Sequence, residues 1–337
     1  MPAPSGSPLL PRIRLLATGG TIAGAQPSAG GPGYKAAVFS AEALIAAVPQ
    51  LTDRAEIEIE QVAAIGSQDM DTATWRKLAQ RTQAAVDDPR ISGVVVTHGT
   101  DTLEETAFFL NLVVRTGKPV VLVGAMRPAT AISADGPMNL YNAVAVATHP
   151  DSADRGVLVV ANDEVHFARE VAKTNTTQVG TFRATHRGLA GIVNSGRLHL
   201  YAPPVRRHTA ASEFAPLAPA PLPRVDIVYA YAGMGRELLD AAVQTGAGGL
   251  VIAGVGEGNL GAEAVQAAAA AARKGVAVVR SSRTGGGVVE RNIEVDDDGL
   301  GFIAADELNP QKSRVLLMLG LTRSRDPLEL QAMFLSY

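Results

Sequence analysis

Four short segments gather more hydroxyl, amide, carboxylate and amine groups than chain turning requires. The first reads Thr18-Gly-Gly-Thr-Ile-Ala-Gly24 and follows an apolar run. Its paired glycines let the backbone turn sharply and leave Thr21 at a sheet edge. A Gly- and Pro-rich stretch follows and ends at Tyr34. Such a hydroxyl suits a nucleophile beneath a mobile lid, and the same loop suits a simple anion cradle. The second segment, Ile65-Gly-Ser-Gln-Asp-Met-Asp71, offers Ser67 and Gln68 to a polar ligand, with Asp69 or Asp71 as the cap of the next helix. The third, Thr97-His-Gly-Thr-Asp-Thr102, contains a capping box in Thr102-x-x-Glu105. Capping needs one hydroxyl and one carboxylate. Three threonines, His98 and Asp101 within six residues exceed that need and tilt this loop towards function. The fourth, Lys173-Thr-Asn-Thr-Thr177, sets an amine among hydroxyls, either as a base or as an ordinary solvated lysine.

Other chemistries are removed or weakened by composition. The chain has no cysteine, so thiolate nucleophiles, disulfides, iron–sulfur clusters and Cys-based zinc sites are excluded. None of the six histidines is paired at i, i+4, which argues against a protein-ligated metal, and G-x-S-x-G is absent. Asp296-Asp-Asp298 has the wrong spacing for an EF-hand and reads as a solvated turn. Gly256-Glu-Gly-Asn-Leu-Gly261 matches the dinucleotide fingerprint, with Arg280 placed to suit a 2′-phosphate. It lies too late in the chain to be followed by a second nucleotide-binding half, so it is read as a chance match. A formal net charge of −3 argues against a nucleic-acid or anionic-membrane coat. The start, Met1-Pro-Ala-Pro-Ser-Gly-Ser-Pro, lacks the basic and apolar regions of a signal peptide, and no apolar run approaches the roughly 18 residues that span a bilayer. The expectation is a soluble, cytoplasmic protein, or a periplasmic one whose signal has been removed.

The elements that must position these groups follow from apolar patterning. Its 337 residues suit about two domains. Non-alternating Val and Leu runs at 12–17, 93–97, 119–124 and 156–161 predict strands buried on both faces, hence a mostly parallel sheet. Helical patterns at 72–86, 103–115 and 138–148 lie between them, and 191–200 reads as a hairpin around Asn194-Ser-Gly. Residues 206–224 include Ala215-Pro-Leu-Ala-Pro-Ala-Pro-Leu-Pro, which sustains neither helix nor central strand. The expected division is therefore an α/β domain over 1–205, a Pro-rich linker over 206–224 and a smaller C-terminal α/β domain over 225–337. In open parallel sheets, ligands gather at the carboxyl ends of strands, where the first and third segments sit.

With these loops in view, the chain resembles bacterial type II L-asparaginases and the related glutaminase-asparaginases. The carrying segments are Ala17-Thr-Gly-Gly-Thr-Ile-Ala-Gly24, Gly66-Ser-Gln-Asp-Met70 and Thr97-His-Gly-Thr-Asp-Thr-Leu-Glu-Glu-Thr106. They continue as Gly124-Ala-Met-Arg-Pro128, Ser133-Ala-Asp-Gly-Pro137, Lys173-Thr-Asn-Thr-Thr177, Arg280-Ser-Ser-Arg283 and Leu308-Asn-Pro-Gln-Lys312. The resemblance implies hydrolysis of L-asparagine to L-aspartate and ammonia without metal or cofactor, with L-glutamine as a secondary substrate. It implies a flavodoxin-like large domain with a catalytic Thr21, Tyr34 near it on the lid, and a second group of Thr100, Asp101 and Lys173. Ser67, Gln68 and Asp101 would hold the substrate's α-carboxylate and α-amino groups. Asn259 and Glu294 would complete the neighbouring subunit's site in a homotetramer built as a dimer of dimers. Acyl transfer to Thr21 and direct water attack are both compatible with this set.

Two rival readings share parts of it. The amidase subunit of a tRNA-dependent amidotransferase carries similar Thr-Gly-Gly-Thr-Ile-Ala and His-Gly-Thr-Asp-Thr elements, but such subunits usually begin with an extra region. An amino-acid sensor would keep the pocket without turnover, against the presence of every motif hydroxyl and Lys173.

Overall fold

The computed structural model describes residues 10–26, 33 and 35–337. The chain divides into two compact units, Met1–Arg183 with Leu189–Pro204, and Ala184–Gly188 with Val205–Tyr337.

The first unit is built on strands β1 (Arg12–Gly19), β2 (Glu56–Ile65), β3 (Gly93–Thr97), β4 (Val120–Val123), β5 (Val157–Ala161), β6 (Glu164–Phe167), β9 (Gly191–Asn194) and β10 (Arg197–Leu200), with β7 (Val171–Lys173) and β8 (Phe182–Ala184) as a separate pair. The eight strands run in the order β2-β1-β3-β4-β5-β6-β9-β10. The first five are parallel, and β6, β9 and β10 extend the sheet antiparallel. The order 2-1-3-4-5 is that of flavodoxin-like sheets. Every residue of β3, β4 and β5 is buried, which accounts for their uninterrupted Val and Leu runs.

Helices cover both faces. Alternation along β1 sends Ile13, Leu15 and Ala17 into a cluster with Leu44 of α1 (Ala41–Ala46) and with Leu140, Ala143 and Val144 of α4 (Gly136–Thr148). The other face receives α2 (Thr72–Asp87) and α3 (Leu103–Val113), whose Trp75 and Phe109 rings stack 4.9 Å apart. The start of α2 is fixed by the Asp71 carboxylate, which accepts from the Thr74 N–H at 2.7 Å. The hairpin at β9 and β10 turns on Ser195-Gly196. Because the chain leaves β1 and β3 towards opposite faces, a crevice opens between their carboxyl ends.

The second unit is a four-stranded parallel sheet of β11 (Val225–Tyr229), β12 (Gly249–Gly254), β13 (Ala277–Ser282) and β14 (Phe302–Ala304). Helices α5 (Glu237–Gln244) and α6 (Ala262–Arg273) share one apolar cluster with it, α7 (Asp297–Leu300) precedes β14, and α8 (Pro310–Gly320) and α9 (Pro327–Ser336) pack against the sheet. The Pro-rich segment 206–224 groups with this unit. Phe214 and Ala215 are buried, Phe214 lies 5.2 Å from the Tyr337 ring, and the Tyr337 hydroxyl accepts from the Glu213 N–H at 2.8 Å. Arg206 adds an ion pair to Asp306 at 2.6 Å. The segment is thus held by side chains where its backbone makes no ladder. No helix among the described residues is long and apolar enough to cross a membrane.

Tyr337 should therefore carry measurable stability. Tyr337→Ala is expected to cost about 3–5 kcal/mol, and Tyr337→Phe, which removes the hydroxyl's bonds to the Glu213 N–H and carboxylate, about 1–2 kcal/mol. Urea unfolding of the three proteins checks the order; equal midpoints would show that the segment is not held this way.

Candidate active site

Three of the four chemistry-bearing segments meet by close approach of their backbones and by hydrogen bonds to them. Gly20, after β1, adopts φ +84°, and a Cβ on it would lie 2.4 Å from the Gly99 Cα in the loop after β3. A Cβ on Gly99 would lie 2.7 Å from the Ser67 Oγ. Only glycine permits this approach. Hydrogen bonds lock it: Gly20 N–H donates to the Ile65 carbonyl at 2.9 Å, and the Thr18 hydroxyl to the Thr97 carbonyl at 2.8 Å. Thr21 follows at once, buried, as the first residue of a single 3-10 turn. The β1 and β3 loops therefore share one wall of the crevice.

In the β3 loop, the Lys173 ammonium donates to Thr100 Oγ1 at 2.9 Å and to Asp101 Oδ1 at 2.6 Å. Thr100 is buried, Lys173 is half-buried and the Asp101 carboxylate is exposed. Ser67 Oγ accepts from the Asp101 N–H at 3.1 Å, and Gln68 beside it is exposed. The structure thus brings Ser67, Thr100, Asp101 and Lys173 into one bonded group. Tyr34 lies outside the described residues.

One local expectation is corrected, and one unforeseen residue joins the site. Thr102 does not form the capping box with Glu105; its hydroxyl donates to the Ser67 carbonyl at 2.8 Å, because joining two loops takes precedence over capping. Glu104, which sequence reasoning passed over, is buried and accepts from the Lys173 N–H at 2.6 Å, so it seats the lysine from behind. A second carboxylate in the first turn of a helix was the available signal.

Asn259 and Glu294 lie in the second unit, in the turn after β12 and the segment before α7. The Asn259 amide donates to the Glu294 carboxylate. The fingerprint-like Gly256–Gly261 turn is not a nucleotide site. Arg280 is 1% exposed and paired to Asp297 at 2.6 Å, so it has no face to offer a phosphate. That pairing also corrects the reading of residues 296–298 as a solvated turn: Asp297 is fully buried. Among the described residues no three His, Asp or Glu side chains are grouped to hold a metal ion.

These arrangements recur in known proteins. The pattern of the family "Asparaginase, N-terminal" matches residues 12–206, and that of "Glutaminase/Asparaginase C-terminal domain" residues 224–334. The chain belongs to the asparaginase family. It is 49% identical over 334 residues to L-asparaginase 2 of Escherichia coli (strain K12), covering 99% of this chain and 95% of that one. It is 43% identical over 330 residues to the glutaminase-asparaginase of Pseudomonas fluorescens biotype A, covering 97% and 91%. A crystal structure of a probable cytoplasmic L-asparaginase from Campylobacter jejuni superposes with a TM-score of 0.94 at 44% identity, covering 97% of this chain and all of that one.

In this asparaginase-family chain the β3 loop has a buried support. Trp75 Nε1–H donates to Thr106 Oγ1 at 2.8 Å, so the Thr106 hydroxyl turns its proton to His98 Nε2 at 2.9 Å. His98 Nδ1–H then donates to the Gly99 carbonyl at 2.7 Å. This tautomer is neutral, and burial pushes the His98 pKa from 6.5 down to about 4. The unfolded chain therefore binds a proton that the folded one refuses between pH 6.5 and 4. Stability is present above that window and is lost as pH falls through it, by about 1.4 kcal/mol per pH unit and so about 3 kcal/mol in all. The stability difference between wild type and His98→Gln should shift by this amount across the window. A difference flat with pH would show that His98 is charged when folded.

Proposed function

We propose that the protein hydrolyses the side-chain amide of L-asparagine to L-aspartate and ammonia, with L-glutamine as a secondary substrate. The observation that carries the mechanism is Lys173 bridging Thr100 Oγ1 and Asp101 Oδ1 at the carboxyl end of β3. The family membership and the names of the relatives above support the reaction and both substrates.

Thr21 is the nucleophile. Its Oγ attacks the amide carbon, the C–N bond breaks as ammonia leaves with the hydroxyl proton, and an aspartyl ester forms on Thr21. Water hydrogen-bonded to the Thr100 hydroxyl then attacks that ester; the ester C–O bond breaks, a water proton passes to the leaving Thr21 oxygen and L-aspartate is released, while the Lys173 ammonium polarises Thr100 by its direct hydrogen bond. Ser67 and Gln68 hold the α-carboxylate, and Asp101 and Glu294 face the α-ammonium. A zwitterion needs both a donor clamp and an anion, and this set contains both. One extra methylene is worth only about 1–3 kcal/mol of discrimination, which leaves room for glutamine.

Asn259 and Glu294 act on a neighbouring subunit's substrate in a homotetramer arranged as a dimer of dimers. Support comes from the apolar side chains Ile227, Tyr229 and Tyr231, which stand exposed on and just beyond the edge strand β11, a surface suited to burial in an assembly.

Ammonia release from asparagine and glutamine, assayed side by side, tests the activity. Thr21→Ala and Lys173→Met should each lower turnover by about a thousandfold or more. Near-wild-type turnover in either would overturn the assignment. Dilution to a monomer, followed by sedimentation, should abolish activity; an active monomer would contradict the shared site.

A further inference from the structure

The turn carrying Asn259 and the segment carrying Glu294 are both irregular, yet their side chains meet. What fixes them lies beneath. Arg280 rises from the interior of β13 and is 1% exposed, and Asp297, the first residue of α7, is fully buried. Their contact is bidentate, Nε to Oδ1 at 2.6 Å and Nη2 to Oδ2 at 2.7 Å. The remaining guanidinium donors reach outward: Nη1 to the Glu257 carbonyl at 3.0 Å, two residues before Asn259, and Nη2 to the Glu290 carbonyl at 3.0 Å, four residues before Glu294. Asp297 Oδ2 also accepts from the Asn292 N–H at 2.9 Å, which ties the far side of the same segment. The Glu257 carboxylate closes the gap directly, accepting from the Glu290 N–H at 3.1 Å.

A buried ion pair is weak evidence for stability, because desolvation offsets most of its attraction. This one has a different use. One planar fork bonds both loops at once and holds them in register with each other, which an ammonium point charge cannot do. We infer that Arg280 and Asp297 are positioning residues that hold the Asn259 and Glu294 side chains in the geometry needed to grip the substrate's α-ammonium group. This rests on the proposed role of Glu294, and it assigns Arg280 the opposite of the phosphate role that its fingerprint-like setting suggests.

L-Aspartate and succinate differ only in the α-ammonium, so their inhibition constants against asparagine hydrolysis isolate its recognition. The full-length enzyme is compared with Glu294→Gln, Arg280→Lys and the double variant Arg280→Met with Asp297→Leu, which replaces the pair by apolar groups and leaves no orphaned charge. Expected is a preference for L-aspartate over succinate that narrows by about tenfold or more in Glu294→Gln and in both Arg280 variants. The melting temperature of the double variant should stay near that of the wild type. A merely structural role would weaken both inhibitors equally. An unchanged preference in Glu294→Gln would overturn the role of Glu294 and this inference with it. A narrowed preference there, but a wild-type preference in folded Arg280 variants, would overturn the positioning role alone. Failure of both Arg280 variants to fold would make the pair a structural support and overturn it too.

Discussion

The approach of two backbones at the β1–β3 crevice is the constraint on which the rest of the site depends. With Gly20 at φ +84° and no room for a Cβ against Gly99, the turn bearing Thr21 and the loop bearing Thr100 are held in van der Waals contact. Their separation is set by main chain, which has fewer soft degrees of freedom than side chains. The parallel order 2-1-3-4-5 creates the crevice, and the glycines let two loops close on it. Ser67 packs against the same wall because Gly99 also leaves space for its hydroxyl.

Upon that frame, polar groups are settled in pairs. Glu104 seats the Lys173 backbone, Lys173 engages Thr100 and Asp101, and neutral His98 supports the Gly99 carbonyl from the core. The second unit applies the same logic with different groups, Arg280 and Asp297 standing beneath Asn259 and Glu294. In both, buried polar groups fix irregular backbone that bears candidate site residues. This agrees with the general rule that site residues are held by neighbours whose own partners are satisfied.

Much of this is legible in the sequence. Buried parallel strands announce themselves as unbroken Val and Leu runs, so β3 was expected at the very residues it occupies. The site loops stand out by an excess of hydroxyls over what capping needs. What escaped was of two kinds. Strands of three residues such as β7 and β14 carry too few positions for a period to register. Partner choice escaped as well, since composition cannot say whether Asp297 meets water or a guanidinium, or whether Thr102 bonds its own helix or the Ser67 carbonyl. These choices are made by tertiary contacts between segments more than a dozen residues apart.

The most direct measurement is kcat/KM for asparagine in Gly20→Ala protein whose near-ultraviolet circular dichroism is native. The added methyl must separate the two loops, so activity should fall by about a hundredfold or more even where the fold survives, as expected for misplacement of reacting groups by about an ångström. A folded Gly20→Ala enzyme with wild-type kcat/KM would show that the backbone contact at the crevice does not set the catalytic geometry.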